Sequence, residues 1–169
     1  MKLFSRIVIL LVFVFLGWKA FIFLFPDDET RIRTKLNRLE SLVSYAPNTS
    51  SLAHLASAGG ILEMFTQDAA LNIRTDTVTW NIVGRNEIKT SLLSSRQQEP
   101  SGMQVSITDP VFEFDSDGAI NTLVTVTAIM GSHSDPMVRI MEFQWIKGER
   151  SQWLISSIKT RKDLEWGNG

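Results

Sequence analysis

The sequence is poor in the residues that most often carry chemistry, with no cysteine, one tyrosine and two histidines among its 169 residues. Without cysteine the chain cannot form a disulfide bond, a thiolate nucleophile or a cysteine zinc site. His54 and His133 alone make a poor set of metal ligands, so we expect no metal site. The sequence has no glycine-rich phosphate loop and no serine nucleophile elbow, and we expect no cofactor.

An excess of positive charge is also missing. Lysine and arginine number 17 against 18 acidic residues, and they are scattered along the chain. A nucleic-acid-binding protein needs a concentrated basic surface, so we exclude nucleic acid as a partner. What the chain does have is apolar material, at 44% of its residues. This amount and length suit one globular domain, over residues 27–169, behind a short N-terminal attachment.

The attachment is residues 1–26, and its apolar run covers residues 7–25. Only Gly17 and Lys19 interrupt this run, and at about 1.5 Å per residue it matches the thickness of a bilayer's hydrocarbon core. The pattern predicts a single transmembrane anchor that binds the chain to a membrane. A cleaved signal peptide is the alternative, although Trp18 and Lys19 stand where cleavage favours small side chains.

The flanking charges give opposing signals on orientation. Lys2 and Arg6 favour a cytoplasmic N-terminus under the positive-inside rule. Four basic residues just after the run argue the other way: Arg31, Arg33, Lys35 and Arg38. Because the tail is short and the far flank begins with acidic residues 27–29, we expect the domain to be extracytoplasmic, and periplasmic if the source is bacterial.

Periodicity after the anchor predicts helices first and then strands. Apolar residues at helical spacing predict helices near residues 28–45 and 51–65, and a third near residues 86–93. Alternating patterns predict two short strands around residues 71–83 and a longer antiparallel meander over residues 103–160, with a bend at Asp109-Pro110. The predicted class is α+β, a curved antiparallel sheet wrapped round N-terminal helices.

A known pattern occurs in three segments: residues 65–71, residues 84–88 and the closing strand at residues 153–155. These segments resemble the nuclear transport factor two-like superfamily, which includes ketosteroid isomerases and SnoaL-like polyketide cyclases. The resemblance covers roughly residues 29–161 and implies a cystatin-like α+β cone, with an interior pocket in many members. Because this fold hosts enzymes, carriers and associative modules, it does not decide the function.

The isomerase mechanism that this resemblance implies needs a carboxylate base, a tyrosine and a protonated acid. The base position falls near Asn72 or Ile73, and neither side chain is a carboxylate. Tyr45 lies where some relatives place the tyrosine, but no partner acid is identifiable. Asp76 and His54 remain as weak catalytic candidates; a turn residue and an ordinary helical histidine are the alternatives. We therefore lean towards a noncatalytic protein.

A further set of side chains is a candidate lining for a pocket. Residues 137–145 alternate so that Arg139, Met141 and Trp145 share one strand face, which could line a cavity and pair an anionic group with Arg139. Core packing, with the Arg139 head in water, is the alternative. The full set of ligand-pocket candidates is Tyr45, Phe65, Trp80, Arg139, Met141 and Trp145.

The sequence thus predicts a membrane-anchored, noncatalytic binding or assembly module. The alternative is an isomerase- or cyclase-like enzyme, or a ligand carrier, that uses the pocket. A homodimer through the sheet face is expected. The sequence does not specify whether the further partner is a protein or a small apolar ligand.

Overall fold

The computed structural model describes residues 27–75, 78–132 and 135–161. The chain divides into two compact units, residues 1–32 and residues 33–169. In the first unit the described residues form the start of a helix, where the Asp27 carboxylate accepts the backbone N–H of Thr30 at 2.8 Å. This contact is an N-cap, which satisfies a backbone donor that the helix itself leaves open.

The second unit contains the helical and strand elements of an α+β domain. The helices are α1 (Asp28–Val43), which begins in the first unit, α2 (Ser51–Leu62) and α3 (Arg85–Gln98). The strands are β1 (Phe65–Arg74), β2 (Thr79–Val83), β3 (Met103–Phe114), β4 (Ile120–Met130), β5 (Met137–Lys147) and β6 (Trp153–Thr160). The predicted class and order of elements are confirmed.

The six strands form one sheet in the order β2-β1-β6-β5-β4-β3. Strands β3 to β6 make the predicted antiparallel meander. The expectation of an antiparallel sheet was wrong for one pair of neighbouring strands, because β1 and β6 are parallel. The connection through α3 carries the chain to the far edge of the sheet, and three reversals then bring β6 back beside β1 in the same direction.

The second helix is shorter than its sequence predicted, ending at Leu62 instead of Phe65. The backbone of the next residues pairs with the closing strand: the N–H of Ile155 donates to the carbonyl of Met64 at 2.8 Å, and Phe65 lies opposite Ile155. Short apolar runs fit either a helix or a strand, so only this long-range pairing decides the boundary.

Strand β3 is one edge of the sheet, and the end of α1 covers part of it. The Ser44 hydroxyl accepts the N–H of Val105 at 3.0 Å, and the Glu40 carboxylate accepts the N–H of Ile107 at 2.8 Å. Beyond these contacts the strand register shifts between residues 108 and 111, which confirms the predicted bend. Side chains thus protect the edge where backbone pairing stops.

The hydrophobic core lies on the sheet face that the helices cover, where Trp145 and Ile155 are completely buried.

Within residues 27–75, 78–132 and 135–161, no helix has both the length and the apolar character that crossing a bilayer requires. The predicted transmembrane run, residues 7–25, lies outside the described residues.

Candidate functional site

A cavity of about 780 Å³ lies between the helices and the sheet of the second unit. Helices α1, α2 and α3 contribute Leu39, Ile61 and Ile88 to its lining. Ligand pockets in proteins usually enclose roughly 300–1,000 Å³, so this volume suits a small organic molecule.

Strand alternation builds the apolar floor of the cavity. Phe143 lies opposite Ile158 on the neighbouring strand, and Ile158 lies opposite Leu71 on the next one. Met141 lies two residues before Phe143 and therefore shares its face. All four side chains line the cavity, which gives a broad hydrophobic surface for a ligand to pack against.

Helix α3 and strand β2 supply a polar side to the cavity. The polar lining residues are Thr79, Asn81, Glu87, Thr90, Ser91, Ser94, Ser95 and Gln98. Glu87 is the one ionisable side chain in the part of the lining that the structure describes. Its carboxylate accepts the backbone N–H of Val83 at 2.9 Å, which holds it at the junction of β2 and α3.

Three of the six predicted pocket residues line this cavity: Phe65, Trp80 and Met141. Phe65 is buried, whereas Trp80 is 50% exposed. Trp145 lies in the core instead, stacked on Phe143 with ring centroids 6.2 Å apart. Arg139 is not part of the lining, and it donates to the carbonyl of Val138 at 2.8 Å.

Tyr45 and His54 belong to a separate cluster where the three helices meet. The Tyr45 hydroxyl donates to the carbonyl of Glu99 at 2.9 Å, and the His54 ring packs edge-on against the Tyr45 ring at 5.1 Å. Arg96 lies over the same ring at 5.3 Å. Burial, helped by the charge of Glu99, raises the pKa of Tyr45 against the opposing effect of Arg96.

The centre of this cluster is the guanidinium of Arg96, a residue that is only 3% exposed. It donates to the carbonyl of Leu42 at 2.7 Å, to the carbonyl of His54 at 3.1 Å, and to the Ser57 hydroxyl. Burial lowers the pKa of Arg96. These contacts tie α1, α2 and α3 together, and they lie outside the cavity lining.

The remaining catalytic candidate, Asp76, lies outside the described residues, as does His133.

Sequence reasoning missed Glu87 and the polar side of α3. A usable signal existed, because Glu87, Ser91, Ser94 and Gln98 recur at four, three and four residues, which places them on one helical face.

No protein-family model matches the sequence, and no curated protein matches it either. Solved structures do match in fold. A cystatin-like domain of unknown function from Nostoc punctiforme has a TM-score of 0.62 at 14% identity, with 82% of this chain and 78% of that one covered. A protein from Novosphingobium aromaticivorans, provisionally named a scytalone dehydratase, has a TM-score of 0.59 at 13% identity, with 79% and 83% covered.

A protein from Catenulispora acidiphila, solved in complex with S-DNPA, has a TM-score of 0.59 at 12% identity, with 78% of this chain and 90% of that one covered. At such low identity these likenesses show the fold alone. The chain therefore has a cystatin-like α+β fold with a six-stranded sheet and helices on one face, as the resemblance to the nuclear transport factor two-like superfamily implied.

Proposed function

We propose that this chain is a noncatalytic binding module that holds a small, largely apolar molecule in the cavity between its helices and its sheet. The observation that carries the proposal is the cavity itself: about 780 Å³, with a continuous apolar floor and polar groups confined to one side. The apolar floor can cover the apolar part of a ligand, and the polar side can fix its orientation through a few hydrogen bonds.

The position of the ionisable groups supports binding over catalysis. General acid–base catalysis needs a donor or acceptor within hydrogen-bond reach of the reacting atom. Tyr45 and His54 lie in the helix junction, and Arg139 lies outside the cavity lining. Glu87 remains in the lining, but no second acid or base accompanies it in the part of the lining that the structure describes.

The proposal also includes a tether. Residues 7–25 form the apolar run that matches a bilayer in length, so we propose that a single anchor holds the domain on the extracytoplasmic side of a membrane. A homodimer through the outer sheet face stays a prediction. It is supported by exposed apolar side chains on one face of β4 and β5, those of Ile129, Val138 and Ile146.

A cavity-filling substitution tests the binding function. Met141→Trp places an indole on the cavity floor, and we expect it to weaken binding of the neutral probe 1-naphthylmethanol by about tenfold or more, because the two rings compete for the same space. Isothermal titration calorimetry on the full chain in phosphatidylcholine nanodiscs, with empty nanodiscs subtracted, measures this affinity.

Leu52→Trp is the matched control, since Leu52 is 77% exposed on α2 and lies outside the cavity lining. It adds the same indole and should leave binding unchanged. Absence of saturable binding to the wild-type chain, or equal binding by both tryptophan variants, would contradict the proposal.

An isomerase- or cyclase-like enzyme is the second candidate, and the observation in its favour is the carboxylate of Glu87 in the cavity lining. A positioned carboxylate can remove a proton from a bound substrate. Mass spectrometry of any compound that binds the chain distinguishes the two functions. Recovery of the compound unchanged supports the binding module, and conversion that Glu87→Gln abolishes supports the enzyme.

A further inference from the structure

Two hydroxyls on the polar side of the cavity have already used their donors. The Ser95 hydroxyl donates its proton to the carbonyl of Ser91 at 2.9 Å, and the Thr90 hydroxyl donates to the carbonyl of Asn86 at 3.1 Å. A hydroxyl has one donor and two acceptor lone pairs. With the donors used inside the helix, lone pairs are what these two side chains present to a ligand.

The charge of the lining points in the same direction. An ionised carboxylate such as that of Glu87 only accepts hydrogen bonds. The nearby cation Arg85 is not part of the lining, and its Nε donates to the carbonyl of Phe65 at 2.8 Å. An anionic ligand would lose its hydration and meet a like charge, with no cation in the described lining to compensate.

Trp80 supplies a third feature that suits a cation. Its indole lines the same cavity and is half-exposed. The face of an indole attracts an ammonium group more strongly than the other aromatic rings do. Strand β2, which carries Trp80, leads directly into α3 and Glu87.

We infer that the ligand of this cavity is an apolar molecule that bears a basic amine, with its apolar body on the sheet floor and its ammonium group towards Glu87 and Trp80. An ammonium group has several donors and no acceptor, which complements the acceptors on the polar side. This inference rests on the proposed binding function and adds the chemical class of the ligand.

Three probes with the same aromatic body test the inference: 1-naphthylmethylamine, 1-naphthylmethanol and 1-naphthoate. Titration calorimetry on the full chain in phosphatidylcholine nanodiscs at neutral pH compares their affinities. We expect the amine to bind about fivefold more tightly than the alcohol, the size of a partly exposed ion pair, and the carboxylate to bind most weakly.

Glu87→Gln removes the charge and keeps an oxygen that can accept the N–H of Val83, so it should remove most of the preference for the amine over the alcohol and leave the share that Trp80 contributes. Glu63→Gln is the control, because the exposed Glu63 carboxylate is 3.9 Å from Arg38 and lies outside the cavity lining. It should leave the preference for the amine intact. Trp80→Leu, on the edge strand β2, should also reduce that preference.

If the alcohol binds and the amine binds no more tightly, or if Glu87→Gln and Trp80→Leu both leave the preference unchanged, the inference is overturned and the proposed function stands. If none of the three probes binds the wild-type chain, the proposed function fails and the inference fails with it.

Discussion

Glu142 is a buried carboxylate on the face of β5 that points away from the cavity, with only 8% of the residue exposed. Its two oxygens pair with Lys159, at 2.7 Å, and with Arg161. Burial alone raises the pKa of Glu142, but the hydrogen bonds and charges of Lys159 and Arg161 outweigh burial and hold this pKa below its ordinary value.

The sign of the resulting pH dependence follows from linkage. A carboxylate whose folded-state pKa is lowered contributes stability above its unfolded-state pKa, and this contribution is lost as the pH falls through the folded-state pKa. We predict that Glu142→Gln lowers the free energy of unfolding by about 1–3 kcal/mol at neutral pH. The difference from wild type should shrink steadily below about pH 4.

Urea denaturation at several pH values measures this effect. Glu113→Gln is the control, because Glu113 is an exposed carboxylate on β3, and most such surface substitutions change stability by less than about 0.5 kcal/mol. A Glu142→Gln variant as stable as Glu113→Gln at neutral pH would show that the Lys159 and Arg161 contacts contribute nothing.

Some residues of the candidate site could be predicted from the sequence, because strand alternation alone assigns a side chain to a face. Met141 is such a residue. Alternation does not show where along the strand the cavity ends and the packed core begins, however. Trp145 lies on the same face as Met141 but is packed in the core. Tyr45 was placed by family resemblance, and its hydroxyl bonds instead to the Glu99 backbone.

Arg96 connects the three helices whose side chains help to line the cavity. Its guanidinium, on α3, donates to backbone carbonyls near the end of α1 and within α2. We predict that Arg96→Met lowers the free energy of unfolding by about 2–4 kcal/mol, because it leaves buried carbonyl groups without donors. Thermal and urea denaturation report the loss.

Arg38→Met provides the comparison, since the Arg38 side chain is largely exposed and its contact with Glu63 is long at 3.9 Å. It should cost less than about 1 kcal/mol. Arg96→Lys tests the geometry of the contact, because lysine keeps the charge and loses the planar fork. If Arg96→Met were no more harmful than Arg38→Met, the three helices would be held together by packing alone.

Most elements of the fold could be predicted from the sequence, because helical and alternating apolar patterns are long and clear in β3 to β6. Two features depend on contacts between distant residues, and local patterns cannot show them. One is the end of α2, which the pairing of Phe65 with Ile155 sets. The other is the parallel join of β1 and β6, which follows from the path of the whole chain.

In the function that we propose, the apolar run at residues 7–25 joins the binding domain to a membrane. We predict that the full chain stays in the membrane pellet after an alkaline carbonate wash and enters solution only with detergent, because about 19 apolar residues suffice to span the hydrocarbon core. A chain that starts at residue 27 should be found in the soluble fraction. A soluble wild-type protein that lacks its first residues by N-terminal sequencing would indicate a cleaved signal peptide.

Because the sequence has no cysteine, labelling of a single introduced cysteine in cells that express the full chain can measure the orientation of the domain. Ser116 lies in the exposed turn between β3 and β4, so a single Ser116→Cys substitution gives a unique label. A maleimide that does not cross membranes should react with it in intact cells. Reaction only after the cells are broken would place the domain in the cytoplasm.

The proposed function requires that a small molecule can occupy the cavity between the helices and the sheet. Methyl chemical-shift mapping of the full chain in phosphatidylcholine nanodiscs, titrated with 1-naphthylmethylamine, locates such a molecule residue by residue. We expect saturable shifts for the methyl groups of Met141 and Ile61 in the cavity lining, and none for exposed Leu52 and Ile129. Shifts confined to Leu52 and Ile129, or no saturable shift at Met141 and Ile61, would contradict it.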